Sequence, residues 1–238
     1  MNRGGVFVTG TDTGVGKTLV AAGLVRALQY KGVRVAAVKP VAAGCERTVE
    51  GLRNADAEQL RSLFNPPPPY GSVNPCALEA AAAPHLVAEE EGRTIPVADL
   101  AQHLRRLAGE YFTLVEGAGG WRVPLAPGLD VACLARESGL PVVLVVGIRL
   151  GCLNHAQLSA EAILRDGVAL VGWIASEVEP DDPRSAAQIA TLERLLPVPL
   201  VGRVGYMDRP DAESVASCLH PPEQWLPPFC EDPVSGEA

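Results

Sequence analysis

No apolar run in this 238-residue chain approaches the roughly 20 residues that a membrane-crossing helix needs; the longest, Leu140–Ile148, is far too short. A surplus of cations is also missing. Lys and Arg number 20 against 28 Asp and Glu, a net charge of −8 that repels nucleic acid and anionic membranes, so small molecules are the expected partners. Nor do any of the six cysteines (Cys45, Cys76, Cys133, Cys152, Cys218 and Cys230) stand at the close spacing of a zinc or redox site, and free thiols are expected. The first residues read as a strand instead of a charged region followed by a signal core, which leads us to expect a cytoplasmic protein. No internal repeat is apparent, and a chain of this length with 47% hydrophobic residues can bury one substantial core without a second domain.

What the chain does carry is a glycine-rich loop in an informative place. Gly5–Thr9 is a plausible buried strand, and Leu19–Tyr30 has helical apolar spacing closed by Gly32. Between them, Gly10 to Thr18 reads as a phosphate-binding loop. In such a loop the backbone N–H groups of Thr13, Gly14, Val15, Gly16 and Lys17 surround phosphate oxygens at a helix N-terminus, Lys17 adds a point charge, and the Thr18 hydroxyl can ligate Mg²⁺. One departure is visible: five residues separate Gly10 from Gly16, where the common pattern has four.

Further apolar runs at Arg34–Lys39, Phe112–Glu116, Pro141–Gly147, Ala169–Ala175 and Pro199–Val204 alternate with helical segments. That alternation predicts an α/β protein with a mostly parallel central sheet and helices on both faces. Ligands of such sheets sit beyond the carboxyl ends of the strands, which singles out Lys39, Glu116, Gly147–Asn154 and Ser176. Glu116 is read as ending its strand, a carboxylate delivered beside the phosphate site and followed by Gly117–Gly120, where backbone can approach a ligand closely. Lys39, before Pro40, is either a second cation in the same crevice as Lys17 or a strand-end lysine reaching solvent. Asp56, taken alone, is read as the acidic cap of a short helix ending near Leu63. Gly151–His155 opens a helix that runs to Asp166, and its free amides form a second anion site in waiting. His155 there is read as packing or capping, with catalysis as the alternative. Asn65 to Pro69 is expected to be a stiff surface connection.

Taken together, Thr9-Gly10-Thr11-Asp12-Thr13 with Gly16-Lys17-Thr18, Lys39-Pro40-Val41-Ala42, Gly51 to Asp56, Val73-Asn74-Pro75, Pro84-His85, Val115 to Trp121, Gly151 to His155 and Gly172-Trp173 resemble the dethiobiotin synthetases over residues 5 to 205. The resemblance implies a three-layer P-loop NTPase-type fold across residues 1–220; the tail over 221–238, rich in Pro, Glu and Asp, is expected from its composition to be poorly ordered apart from anchoring by Trp225 or Phe229. It implies an ATP- and Mg²⁺-dependent ligase that makes dethiobiotin from 7,8-diaminopelargonate and CO₂ in a homodimer with composite sites. The longer loop spacing is a feature of that family.

The site residues follow from the same resemblance. Lys17, Lys39 and Thr13 would act on the reacting groups, and Thr18, Asp56 and Glu116 would hold magnesium, which replaces the capping role for Asp56. Thr13 to Thr18, Glu116, Gly119 and Ser176 would contact nucleotide. Thr13, Lys39, Ala43 and the stretch Gly151, Cys152, Leu153 and Asn154 would contact the diamine substrate. Four positions depart from the family pattern. Gly14 replaces an acidic residue found in some members, Ala43 falls where serine is frequent, Ser176 where asparagine reads adenine, and Gln188 where tyrosine helps to hold the carboxylate. Two other readings remain: a related P-loop amide ligase, and a partitioning-type ATPase switch, which often carries an extra lysine where this chain has Thr11 to Thr13.

Overall fold

The computed structural model describes residues 4–225. Six strands form one parallel sheet: β1 (Gly5–Gly10), β2 (Val35–Val38), β3 (Phe112–Gly120), β4 (Val142–Ile148), β5 (Leu170–Glu177) and β6 (Leu200–Val204), in the order β6-β5-β4-β1-β3-β2. All six expected strands are present. The largest difference is in β3, which continues four residues past Glu116 to Gly120, so that Glu116 lies inside the strand and not at its end. A register irregularity between Val8 and Gly10 accompanies the extension, with Val8 opposite Glu116 and Gly10 opposite Gly120.

Seven helices matter to the site and its support: α1 (Lys17–Tyr30), α2 (Ala55–Arg61), α3 (Val97–Glu110), α4 (Val131–Ser138), α5 (Cys152–Arg165), α6 (Ser185–Leu195) and α7 (Ala212–Ala216). The alternation of side chains along the strands decides which helix each residue meets. Phe7, Val115, Leu144 and Trp173 point into a core shared with α3, α4, α5 and α6. Val6, Val8, Leu114, Val143, Val145 and Ile174 point the other way, toward α1, α2 and α7. Both faces are therefore covered, which is why β4 reads as an unbroken apolar run.

Because the connection after β1 runs toward β2 and the one after its neighbour β4 runs toward β5, the chain leaves these two strands toward opposite sides at their C-terminal ends. This opens a crevice there, and the glycine-rich loop fills its floor. Gly14 and Gly16 have φ of 74° and 84°, a conformation that a side chain resists. A Cβ on Gly16 would lie 2.7 Å from Ser176 Oγ.

The acidic-cap reading of Asp56 is corrected. Asn54 caps α2, its side chain accepting from the Ala57 amide at 3.3 Å, while Asp56 occupies the first turn and turns its carboxylate elsewhere. Residues 66 and 67 are exposed, as a surface connection requires. The expected tail falls mostly on residues 226–238, outside the described residues; Trp225 packs against the α1-side core.

Leu144 sits fully buried in the middle of β4. Leu144→Ala is expected to cost about 2–5 kcal/mol of unfolding free energy by urea denaturation, through lost burial and a cavity that a covered sheet cannot collapse.

Candidate active site

Four separate segments converge at the C-terminal end of β1. Lys39, one residue past β2, extends its Nζ to 2.5 Å from Asp56 Oδ2 on α2 and to 2.7 Å from Glu116 Oε1 in β3. From the second residue of α1, the Thr18 hydroxyl donates to the same Glu116 Oε1 at 2.7 Å. Glu116 is 1% exposed, and its other oxygen, Oε2, is buried with no hydrogen-bond partner among the described residues. Glu116 lies inside β3 with Val8 of β1 opposite it, not at a free strand end.

Lys17 is buried too, and its Nζ donates to the Asp12 carbonyl at 2.8 Å. Burial pushes its ammonium down to about 8; Glu116 opposes the shift and Lys39 reinforces it. Lys39 moves the other way. Burial alone would lower it, but the Glu116 and Asp56 carboxylates hold it above the ordinary lysine value. The crevice thus contains one lysine with two anionic partners and one with a carbonyl only. The second is the better placed to meet an incoming anion.

The remaining candidates take defined positions. Thr13 faces Gly119, whose added Cβ would lie 3.3 Å from Thr13 Oγ1. Val15 is buried against Gly147, and Ser176 stands against Gly16. The Ala43 carbonyl accepts from the Asn54 side chain at 3.4 Å, which ties it to the start of α2. Gly151, with φ of 95°, precedes the 14-residue α5, where Leu153 is half-buried and Asn154 and His155 are exposed. Cys152 is buried, and burial pushes its thiol up, so it is a packing group and a poor nucleophile. Its Sγ donates to Gln188 Oε1 at 2.8 Å, and Gln188 Nε2 donates to Asp182 Oδ2 at 2.8 Å.

Two features escaped the sequence reading. One is the shared grip of Asp56 and Glu116 on Lys39, across 17 and 77 residues of chain. The other is a cleft of about 490 Å³ beyond the ends of β5 and β6, bordered by Glu177, Asp181, Asp182, Arg203, Tyr206 and Asp208. Spacing along the chain carries no signal for either.

A family model described as an AAA domain matches residues 4–214. The chain is 52% identical to the ATP-dependent dethiobiotin synthetase BioD of Pseudomonas paraeruginosa over 215 residues, 90% of this chain and 94% of that protein. The protein of the same name from Cellvibrio japonicus is 49% identical over 220 residues, covering 92% and 96%, and that from Xanthomonas oryzae pv. oryzae 47% over 211 residues, covering 88% and 93%. Among solved structures, a ParA family ATPase from Chlorobium tepidum superposes with a TM-score of 0.55 at 16% identity, covering 92% of this chain and 91% of that one. The MinC:MinD cell division complex of Aquifex aeolicus gives 0.57 at 14% identity, covering 94% and 87%. Identities this low show the fold alone.

Removing Lys39 leaves Glu116 buried beside an unmatched charge. Lys39→Met is expected to cost about 3–5 kcal/mol in urea unfolding, and adding Glu116→Gln should recover part of it, because the second change removes the stranded charge. A double variant whose loss equals the sum of the two single losses would show that the pair is not coupled.

Lys17 sets a pH dependence. Its pKa near 8 in the free protein must rise when phosphate oxygens replace the carbonyl, so nucleotide binding takes up a proton above pH 8. Affinity is full below pH 8 and falls as the pH climbs past it; calorimetry in buffers of different ionisation enthalpy reads the uptake, and Lys17→Gln should abolish it.

Proposed function

This chain belongs to the ATP-dependent dethiobiotin synthetase family, and we propose that the crevice around Lys17, Lys39 and Glu116 is where it carries out that family's reaction. It is an enzyme, an ATP-dependent ligase of biotin biosynthesis that forms dethiobiotin. The observation that carries the assignment of the site is the convergence of two buried lysines, two carboxylates and a hydroxyl on one glycine-rich loop.

The chemistry asks for what the crevice holds. One amine of 7,8-diaminopelargonate adds to CO₂, loses a proton and becomes a carbamate. A carbamate oxygen then attacks the γ-phosphorus of ATP, the bond to the bridging oxygen breaks, and ADP leaves. The second amine attacks the carbamoyl carbon of the mixed anhydride, inorganic phosphate departs with the bonding pair, and the five-membered urea ring closes. Negative charge gathers on carbamate and phosphoryl oxygens throughout, so catalysis rests on positioning and cationic stabilisation. Lys17 faces the phosphoryl group, Lys39 faces the carbamate, and Thr13 lies where loop and substrate meet. No covalent enzyme nucleophile is needed.

The Thr18 hydroxyl with the Asp56 and Glu116 carboxylates would hold Mg²⁺. These are hard oxygen donors of the kind that ion prefers, and Glu116 Oε2 is buried with no hydrogen-bond partner among the described residues. When bound, the ion would shield the charge of the phosphates. Ser176, beside Gly16, offers a single hydroxyl where the family commonly has an amide, so base recognition falls largely to other groups.

With both lysines engaged at the reacting end, the substrate's carboxylate needs a separate receptor. We assign it to the backbone amides at Gly151, Leu153 and Asn154, supplied by a neighbouring subunit in a homodimer. Leu150, 96% exposed just before this helix, gives such a partner an apolar contact. Among the described residues no helix is long and apolar enough to cross a membrane.

Release of phosphate from ATP should be stimulated by diaminopelargonate plus bicarbonate, with dethiobiotin appearing in equal amount. Lys17→Gln should stay folded and lose roughly 100-fold or more in kcat, as expected for removal of a charge that stabilises the transition state. Stimulation by a lipid or protein partner, and none by the diamine, would favour a partitioning-type ATPase switch.

A further inference from the structure

Arg149 has no part in the reading above. It lies between the end of β4 and the start of α5, and its Nη2 is 2.7 Å from Asp12 Oδ2, 137 residues earlier in the chain. Asp12 is engaged at three atoms. Oδ1 accepts from the Thr13 amide at 2.7 Å, Oδ2 takes the guanidinium, and the main-chain carbonyl accepts from Lys17 Nζ at 2.8 Å. The residue before it is fastened to the same strand as Arg149. Its amide donates to the Val145 carbonyl at 2.9 Å, and the Thr11 hydroxyl oxygen accepts from the Gly147 amide at 3.4 Å.

The first half of the phosphate loop is therefore held to the C-terminal end of β4, Thr11 by the backbone and Asp12 by the arginine. We propose that Arg149 is a positioning residue of the nucleotide site: by pinning the Asp12 side chain it fixes the carbonyl on which Lys17 rests and keeps the loop in the shape that receives phosphate. The inference rests on the reading of Gly10 to Thr18 as the nucleotide loop.

Exposure separates this role from plain stabilisation. The two side chains are 37% and 51% exposed, and pairs of that kind contribute little to folding. What such a pair can do is narrow the conformations of a loop with αL glycines at Gly14 and Gly16, which otherwise gains freedom in the absence of ligand. Arg149 also reaches the opposite direction, since its carbonyl accepts from the Cys152 amide at 3.0 Å at the start of α5. One residue thus joins the nucleotide loop to the helix start assigned to the substrate's carboxylate.

The experiment is a double-mutant cycle in ATP affinity, by calorimetry, on the full chain. Arg149→Ala and Asp12→Asn should each weaken ATP about two- to fivefold, and the double variant should be no weaker than either single one, because both remove the same contact. Asp12→Asn keeps the acceptor for the Thr13 amide, and Arg149→Lys should restore part of the affinity. The thermal midpoint should stay at the wild-type value in every variant, and in turnover the rise in KM for ATP should exceed any fall in kcat. Additive losses, or a loss that tracks a lowered midpoint, would overturn the proposal. So would a kcat defect in Arg149→Ala that Asp12→Asn does not share, because the guanidinium would then be acting on the reacting groups. Lys17→Gln is the control for the underlying reading: wild-type ATP affinity in that variant sinks the loop assignment, whereas lost affinity there with unchanged affinity in Arg149→Ala sinks only the clamp.

Discussion

A buried ammonium held between two carboxylates is the interaction on which the site depends. Lys39 comes from the end of β2, Asp56 from α2 and Glu116 from the interior of β3, so the ion triad fastens three segments that share no local sequence. Glu116 is almost fully enclosed, and a lone charge at such a position is strongly disfavoured. Lys39 offsets it and is itself kept charged by both acids. The consequence is a crevice in which two ammonium groups and a carboxylate are buried, where electrostatic interactions are stronger than at the surface.

Lys17 shows the other half of that arrangement. It lies in the same low-dielectric crevice but rests on a carbonyl, and the burial that stabilises neither charge nor hydration lowers its affinity for a proton. Phosphate oxygens would supply the countercharge that the free protein withholds. The free crevice therefore holds a cation in a higher-energy state than a nucleotide complex would, and that difference favours binding. The loop that presents Lys17 is held open by glycines with positive φ and by its attachments to β4.

The fold does not by itself choose this chemistry. Sheets of the same kind serve a ParA family ATPase and the MinC:MinD cell division complex, to which this chain is 16% and 14% identical. The likeness to the dethiobiotin synthetases is of another order, reaching 52% over nine-tenths of the chain. The common scaffold provides the crevice at the C-terminal end of β1; in the function proposed above, particular residues such as Lys39, Asp56 and the Gly151 helix start would give it a substrate.

Much of this was legible along the chain. The six apolar runs became the six strands, because a sheet covered on both faces needs uninterrupted hydrophobic segments, and Gly10 to Thr18 became the loop, because only glycine takes its φ values without strain. Asp56 as a cap and Glu116 as a strand end were misread for the same reason: their roles depend on a lysine 17 and 77 residues away, and hydrogen bonds across such distances leave no periodic trace. Asn54, two residues before Asp56, had the capping geometry instead. Arg149 left even less, since nothing in Ile148-Arg149-Leu150 points to Asp12 until β4 and β1 lie side by side. The sequence by itself determined the strands, the phosphate loop and the family, since these are written in local composition and contiguous motifs. Which charges meet, which of them are buried and what holds the loop in place were decided only when the parallel sheet brought the ends of β1, β2, β3 and β4 together.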